Sequence, residues 1–307
     1  MSNKSKIRIA LIGLGSIAQK AYLPILANHS KIDPILCTRN THTLNKFSNQ
    51  FRIATTYSNL DELILTKPDA AMVHSSTESH VHILLKLLKA KIPVFVDKPL
   101  SYSLEDSERI LDLASKNRLP IFLGFNRRFA PLIKSLSGES NPIQISWQKN
   151  RVDLVGNPRV FIFDDFIHVI DSLRFLGKGS IQNINVVSRV KNEKLENVQV
   201  QWQQGETLLL GGMNRVSGIT EERIEYYTKG NKWVIKDLNS GTHFTKEEEN
   251  TLKFNNWEST LHKRGFVNMI ENWINIVQER TFNPESIEDI WKTHQLCETI
   301  LNQVLIS

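Results

Sequence analysis

The stretch IRIALIGLGSIA, residues 7–18, limits the fold more than any other part of the chain. An apolar run suited to a buried strand leads straight into Gly13-Leu14-Gly15-Ser16-Ile17-Ala18, and a helical pattern follows. The pattern G-x-G-x-x-A is weak alone, but between a first strand and a helix it predicts a turn that cradles a dinucleotide. Gly13 permits the tight turn, Gly15 lets the backbone approach a pyrophosphate, and Ala18 is small enough for the helix to pack on the strand. The free N–H groups of the helix start would face the phosphates. Gly13, Leu14, Gly15, Ser16 and Ile17 are therefore candidate cofactor-binding residues; the competing reading is a structural turn. Lys4 and Lys6 before the apolar run give it the look of a secretion signal, but Gly and Ser interrupt it and no small-residue cleavage site follows.

Short apolar runs and helical patterns alternate over the first 125 residues. Strands are expected at Lys6–Ile12, Ile32–Cys37, Ala70–Ser75, Val94–Val96 and Pro120–Phe125, with a weak one near Ile53–Thr55. Between them, His80–Ala90 and Leu104–Lys116 repeat apolar residues every three or four positions, which is amphipathic helix. Strands apolar on both faces and alternating with helices predict a parallel sheet covered on both sides. Residues 1–125 thus read as a Rossmann NAD(P)-binding domain.

Beyond residue 126 strand patterns follow one another: Pro142–Arg151, Ile181–Arg189, Val198–Gln203, Thr207–Met213, Glu222–Thr228 and Lys232–Asp237. Gln204-Gly205 and Lys229-Gly230-Asn231 between them signal hairpins. Helical patterns at Asp164–Leu176, Thr260–Gln278 and Ser286–Val304 complete the chain. Residues 126–307 are expected to form an α+β substrate and dimerisation domain with a mostly antiparallel sheet, the last helices packing back on the first domain.

Composition excludes several function classes. The net charge of +6 comes from 38 basic and 32 acidic residues spread along the chain. Clusters such as Lys4-Ser5-Lys6, Arg127-Arg128 and Lys263-Arg264 are too short for a nucleic-acid footprint. No apolar stretch approaches the length that spans a bilayer. Cys37 and Cys297 have no metal-ligand spacing and fit reduced thiols in the cytoplasm. In His80-Val81-His82 the two imidazoles sit at i and i+2, which do not share a helical face, so no metal is expected.

The end of the second strand bears on the cofactor. NAD sites place Asp or Glu there for the ribose 2′-hydroxyl, whereas this chain has Cys37-Thr38-Arg39-Asn40. A hydroxyl followed by a guanidinium suits a 2′-phosphate, since Arg pairs with phosphate as a fork. NADP(H) is therefore the preferred cofactor, with NAD(H) as the alternative if Arg39 only stacks on adenine.

A second feature is VFVDKPL, where a short apolar strand ends on Asp97 and Lys98, and Pro99 restricts the conformation of Lys98. Ligands in open α/β sheets bind outside the carboxyl ends of the strands, so Lys98 stands where a ligand would lie. In the second domain, at about 100° per residue, Asp164, His168, Asp171 and Phe175 fall on one helix face. Phe166, Val169, Ile170 and Leu173 fall on the other. A solvated polar face explains that pattern as simply as a site.

Taken in order, GLGSIA, VHSSTESH (73–80), VDKPL (96–100), GFNRRFAP (124–131), DDFIHVID (164–171) and WESTLHKRGF (257–266) resemble the Gfo/Idh/MocA oxidoreductases, in particular the MviM ("virulence factor") type. The resemblance implies a Rossmann domain followed by an α/β domain whose sheet often makes a homodimer or a larger homo-oligomer. It places Lys98 beside the nicotinamide and the substrate oxygen, and the pair Asp164 and His168 opposite. It also implies cofactor contacts from Ser75, Ser76, Thr77, His80, Asp97 and Arg127. Asp97 stands in place of the usual Glu, Ser76-Thr77 in place of Pro-Asn, and Phe166 in place of a frequent Gly. The implied activity is hydride transfer between a nicotinamide cofactor and a small polyhydroxylated substrate, a sugar, cyclitol or related carbonyl or imine. His168 would act as acid or base, Asp164 as its orienter and Lys98 as the group that stabilises the alkoxide. Cofactor-dependent glycoside cleavage and non-catalytic sensing of NADP(H) are the alternatives. Arg127 or Arg128 is a further candidate for cofactor or substrate contact, with solvent-facing arginines at a helix start as the competing reading. Trp257, Lys263 and Arg264 are candidates to line the substrate site, but a packed Trp257 beside a charged helix end is the preferred reading.

Overall fold

The computed structural model describes residues 6–139 and 141–306; Lys4 and Ser5 of the first basic cluster lie outside them. The chain forms two compact units. One runs to Gly124 and takes back Met269–Trp291; the other holds Phe125–Asn268 and the chain from Lys292.

Six strands build the first unit: β1 (Ile7–Ile12), β2 (Ile32–Cys37), β3 (Thr56–Tyr57), β4 (Ala70–Val73), β5 (Val94–Val96) and β6 (Ile121–Leu123). All neighbours are parallel, in the order β3-β2-β1-β4-β5-β6. Every residue of β4 and β5 is buried, as a sheet covered on both faces requires. The weak strand foreseen at Ile53–Thr55 forms three residues later in the chain, because Ile53 turns inward as a core anchor. Ile12 pairs with both Cys37 and Val73, Val73 with Val96, and Val96 with Leu123. That register brings the carboxyl ends level, so Gly13, Thr38, His74, Asp97 and Gly124 all leave the sheet along one edge. The order reverses between β1 and β4, the switch point where α/β sheets open a crevice.

The helices Thr77–Lys89 and Leu104–Asn117 flank these strands in sequence, and the second is capped at both ends. Ser103 Oγ accepts from the Asp106 N–H, and Arg118 takes the left-handed C-terminal position at φ 51°. Within the returning segment Trp273 is fully buried, with ring centroids 6.1 Å from Phe95 and 6.0 Å from Phe122.

The second unit is an eight-stranded sheet of β7 (Gln144–Asn150), β8 (Ile181–Lys191), β9 (Lys194–Gln204), β10 (Thr207–Asn214), β11 (Glu221–Thr228), β12 (Asn231–Lys236), β13 (Ser240–Thr245) and β14 (Glu248–Lys253). Its order is β14-β13-β12-β11-β7-β10-β9-β8, antiparallel throughout except for β7 beside β10. The helix Ile167–Leu176 lies on one face; a Cβ on Gly211 would come within 3.0 Å of Leu173 and 3.1 Å of Val169, so glycine lets helix and sheet approach. The opposite face is left with a concavity of about 280 Å³ lined by Ser146, Gln148, Asn185, Val187, Gln199 and Gln201. Strands β13 and β14 have no counterpart in the sequence reading, because EENTLK is exposed almost throughout and carries no apolar face. The helix foreseen at Thr260–Gln278 breaks at Gly265, φ 82°, into Thr260–Lys263 and Phe266–Glu279.

Candidate active site

In the first unit the glycine loop sits against the end of β4. A Cβ on Gly13 would lie 2.5 Å from the Ser75 amide nitrogen, and its φ of 85° favours glycine independently. The two backbones there approach too closely for any side chain at position 13. Leu14 is buried, whereas Gly15, Ser16 and Ile17 are exposed at the helix start, and the helix then widens into a π turn at Ala18–Tyr22.

Beside the loop lies a cavity of about 360 Å³ whose lining includes Gly13, Thr38, Arg39 and Ser75. It also takes in Ser58, Asn59, Ser79 and His82, which sequence reasoning missed. Ser58 and Asn59 follow β3, the strand that was weakest in the sequence. His82 is exposed and lines this cavity. No carboxylate lines it among the described residues. Cys37 lines it as well, and burial pushes its thiol up to about 11, so it stays protonated. Ser76 is exposed and Thr77 half-buried at the start of the following helix.

The assignment of His80 to the cofactor needs correction. Its ring is 1% exposed, with Nδ1 2.9 Å from the Pro99 carbonyl and Nε2 3.1 Å from the Ser75 carbonyl. His80 ties the turn after β5 to the turn after β4, with both ring nitrogens engaged by backbone carbonyls. Asp97 also acquires a place. Its Oδ1 accepts from the Lys98 N–H at 2.9 Å, and burial together with the Asp97 charge holds the Tyr22 hydroxyl well above its ordinary value. A Cβ on Gly124 would meet that same Oδ1 and the Tyr22 hydroxyl, each at 3.1 Å. Asp97 therefore packs under Lys98 instead of extending into the cavity. Lys98 itself is half-buried and follows β5, and its bond to Pro99 is cis.

One unforeseen residue at this edge is His74. It is 3% exposed, stacks on Tyr22 at 3.9 Å, and neither ring nitrogen has a hydrogen-bond partner among the described residues. Burial, and then the neighbouring His80, push its imidazole down to about 3, so it is neutral at physiological pH.

In the second unit Asp164 and His168 are both half-buried and four residues apart. Asp164 belongs to a π turn, Ile162–Phe166, that precedes the regular helix. Such single wide turns recur at functional sites, and this one alters the phase on which the face assignment rested. Asp171, placed by that assignment on the same polar face, is buried instead, with Arg128 donating to it at 2.5 and 2.8 Å. Arg127 likewise departs from its expected cofactor contact: it is 4% exposed and donates a fork to Glu222 at 2.6 and 2.8 Å. Trp257, expected to pack, is 98% exposed.

Next to Asp164 is a cluster that sequence reasoning did not single out. Asp165 accepts from Lys149, from Arg151 at 3.2 and 3.3 Å and from Arg215 at 3.1 Å. Burial would raise the Asp165 carboxyl, but these three cations outweigh it and hold the group below the ordinary carboxylate range. Burial, with Arg127 nearby, pushes the Lys149 ammonium down to about 7. Glu222, where Arg127 outweighs burial, is held at about 2. A signal for Lys149 was present, since it stands in phase with the inward Ile145 and Trp147 of β7.

Residues 7–125 match the family described as "Oxidoreductase family, NAD-binding Rossmann fold", and residues 133–248 match "YceM-like, C-terminal domain". A solved structure of a Gfo/Idh/MocA family oxidoreductase from Vibrio cholerae has a TM-score of 0.93 and 33% identity, covering 98% of each chain. The chain belongs to the Gfo/Idh/MocA oxidoreductase family. Among relatives of this oxidoreductase, the YceM protein of Salmonella typhimurium strain LT2 is 30% identical over 281 residues, 90% of this chain and 91% of that one. The myo-inositol 2-dehydrogenase of Thermotoga maritima is 35% identical over 136 residues, 42% of this chain and 39% of that one. Membership gives the oxidoreductase class and an NAD-binding Rossmann fold, in keeping with the glycine loop and the ordered motifs. Among the described residues no helix is long and apolar enough to cross a membrane.

Proposed function

We propose that this family member is a cytoplasmic dehydrogenase or reductase that uses NADP(H) in preference to NAD(H) and acts on a small polyhydroxylated substrate or its carbonyl form. The observation that carries the reading is the cavity of about 360 Å³ beside the loop, bordered by Gly13, whose backbone is pressed against Ser75 with no room for a side chain, and by Thr38 and Arg39. Gly13, Gly15, Ser16 and Ile17 would hold the pyrophosphate through N–H groups. Thr38 and Arg39, in a cavity without a carboxylate, would take the ribose with its 2′-phosphate. Ser75, Ser76 and Thr77 would line the path toward Lys98.

The nicotinamide, when bound, supplies the hydride acceptor or donor. The remaining work belongs to side chains. Lys98, held by Asp97 beneath it and by the His80 tie behind Pro99, donates to the substrate oxygen and stabilises charge as it develops there. His168 takes or returns the hydroxyl proton at an imidazole nitrogen, and Asp164 orients it. The likeness of 42% of the chain to a myo-inositol 2-dehydrogenase supports a polyol as substrate. The open face of the second sheet, with Val187 62% exposed, would join two copies; a monomer by light scattering would remove that part.

Fluorescence titration with NADPH and NADH, followed by a polyol and uronate turnover screen, tests the proposal. Lys98→Ala and His168→Ala are each expected to cut kcat by roughly a hundredfold or more with cofactor affinity nearly unchanged. Full turnover in either variant sinks the assignment, and NADH binding without NADPH binding reverses the cofactor preference.

A further inference from the structure

Arg264 is the exception among the buried cations of the second unit. Its backbone is pinned tightly. Asn126 Nδ2 donates to the Arg264 carbonyl at 2.8 Å, and Asn268 Nδ2 donates to the Phe129 carbonyl at 3.1 Å. A Cβ on the next residue, Gly265, would lie 2.2 Å from the Asn126 carbonyl oxygen, so the chain is pressed against the turn that carries Arg127. The side chain is half-buried, yet among the described residues its guanidinium has neither a hydrogen-bond nor an ion-pair partner.

Its surroundings make that costly. Burial, then Arg127 and Arg151, push the guanidinium below its ordinary value, against weaker attraction from Glu222 and Asp237. Arg127 has committed its fork to Glu222, and Lys149, Arg151 and Arg215 all share Asp165. Four cations thus share two carboxylates in hydrogen-bonded pairs, and Arg264 is left with none. Asp237 does not close the gap, since it is exposed and its Oδ1 accepts from the Glu222 N–H at 2.8 Å. Asp164 lies close enough to act on Arg215, which links this cluster to the pair assigned above to proton transfer.

A half-buried guanidinium on a pinned backbone, beside other cations and without a partner of its own, is a site for an anion, because removing charge from water without a partner is expensive. We infer that Arg264, supported by Arg151, binds a carboxylate or phosphate group on the substrate, so that the enzyme acts on an acidic polyol, a sugar acid or sugar phosphate, and not on the neutral compound. This rests on the dehydrogenase reading for the word substrate, though the anion site itself does not. A planar fork that can bind two oxygens at once favours these oxyanions over a halide.

Calorimetry on the full chain tests the site without turnover, using inorganic phosphate, and D-glucuronate against D-glucose, as probes. Wild type is expected to bind phosphate and to prefer glucuronate over glucose. Arg264→Gln should weaken both anions roughly tenfold to a hundredfold, the worth of a charge-assisted pair. It should leave the thermal midpoint in place, since the side chain holds no structural bond. Arg39→Gln serves as a control for phosphate bound in the cofactor cavity and should leave the Arg264-dependent component intact. Phosphate and glucuronate bound equally by wild type and Arg264→Gln, or by neither, would overturn the inference. Arg264-dependent binding in a protein with no dehydrogenase activity would keep the anion site and discard the dehydrogenase reading.

Discussion

Around Gly13 the first unit prepares its site with backbone, and around Asp165 the second prepares its own with charge. The first edge is formed by strand ends, a glycine without room for a side chain, and an aromatic wall of Tyr22, His74 and Phe95. Its one conspicuous imidazole is kept neutral. The second packs Arg127, Lys149, Arg151 and Arg215 against Glu222 and Asp165 beneath the sheet. Backbone approach recognises what all dinucleotides share. A buried charge network fixes side chains at one geometry and suits recognition of one particular partner. On the proposed reading, the shared part of the chemistry would sit in the first unit and the individual part in the second.

Removing one charge from the network is the most severe way to test that contrast. Glu222→Ala leaves Arg127 buried without its carboxylate and takes the acceptor from Trp147 Nε1, 2.9 Å away. A loss of about 3–5 kcal/mol is expected, read from urea unfolding. Arg127→Met combined with Glu222→Leu should recover much of it, because replacing both partners removes the unpaired charge. A loss below about 1 kcal/mol in the single variant would make the pair no better than a surface ion pair.

Gly13→Val tests the other side. The added side chain meets the Ser75 backbone at 2.5 Å where φ is 85°, so the loop must move. NADPH binding should vanish by fluorescence titration, while stability falls by about 1–3 kcal/mol, less than in Glu222→Ala. Retained cofactor affinity would break the claim that this unit recognises through its backbone.

Acid separates the two units more gently. His74 is held at about 3 when folded against 6.5 ordinarily, so the unfolded chain binds more protons between those values. Its contribution is fully present above pH 6.5 and is lost as pH falls, at about 1.4 kcal/mol per unit at most. Glu222, held at about 2 against 4.5, contributes fully above pH 4.5 and loses that only below it. From pH 6.5 down to 4.5 the destabilisation should thus originate in the first unit. His74→Phe should flatten that window in urea midpoints, and an unchanged slope would remove His74 from the account.

These differences also explain what the sequence disclosed. The glycine loop and the strand series were legible because each is local, a pattern within a few residues whose setting is fixed by neighbours in sequence. His80 was misread because a histidine near a ligand and one clasping Pro99 and Ser75 look alike until the fold brings those carbonyls to it. Arg127 was misread for a similar reason, since its partner Glu222 is 95 residues away. The face through Asp164 and Asp171 failed because a π turn shifts the phase without a sequence mark. β13 and β14 stayed hidden because their pairing rests on ladder hydrogen bonds and not on an apolar pattern. Only Lys149, in step with Ile145 and Trp147, left a trace that was not used.

The return of Met269–Trp291 to the first unit bears on how such a gene can be recombined. A fragment cut after Phe125 would encode every strand of the parallel sheet and yet omit Trp273, which lies against Phe95 and Phe122. A single crossover near that junction would therefore hand its descendants a nucleotide-binding half with a missing piece of wall. Exchange of the second half between lineages needs a donor that also supplies a compatible tryptophan-bearing helix.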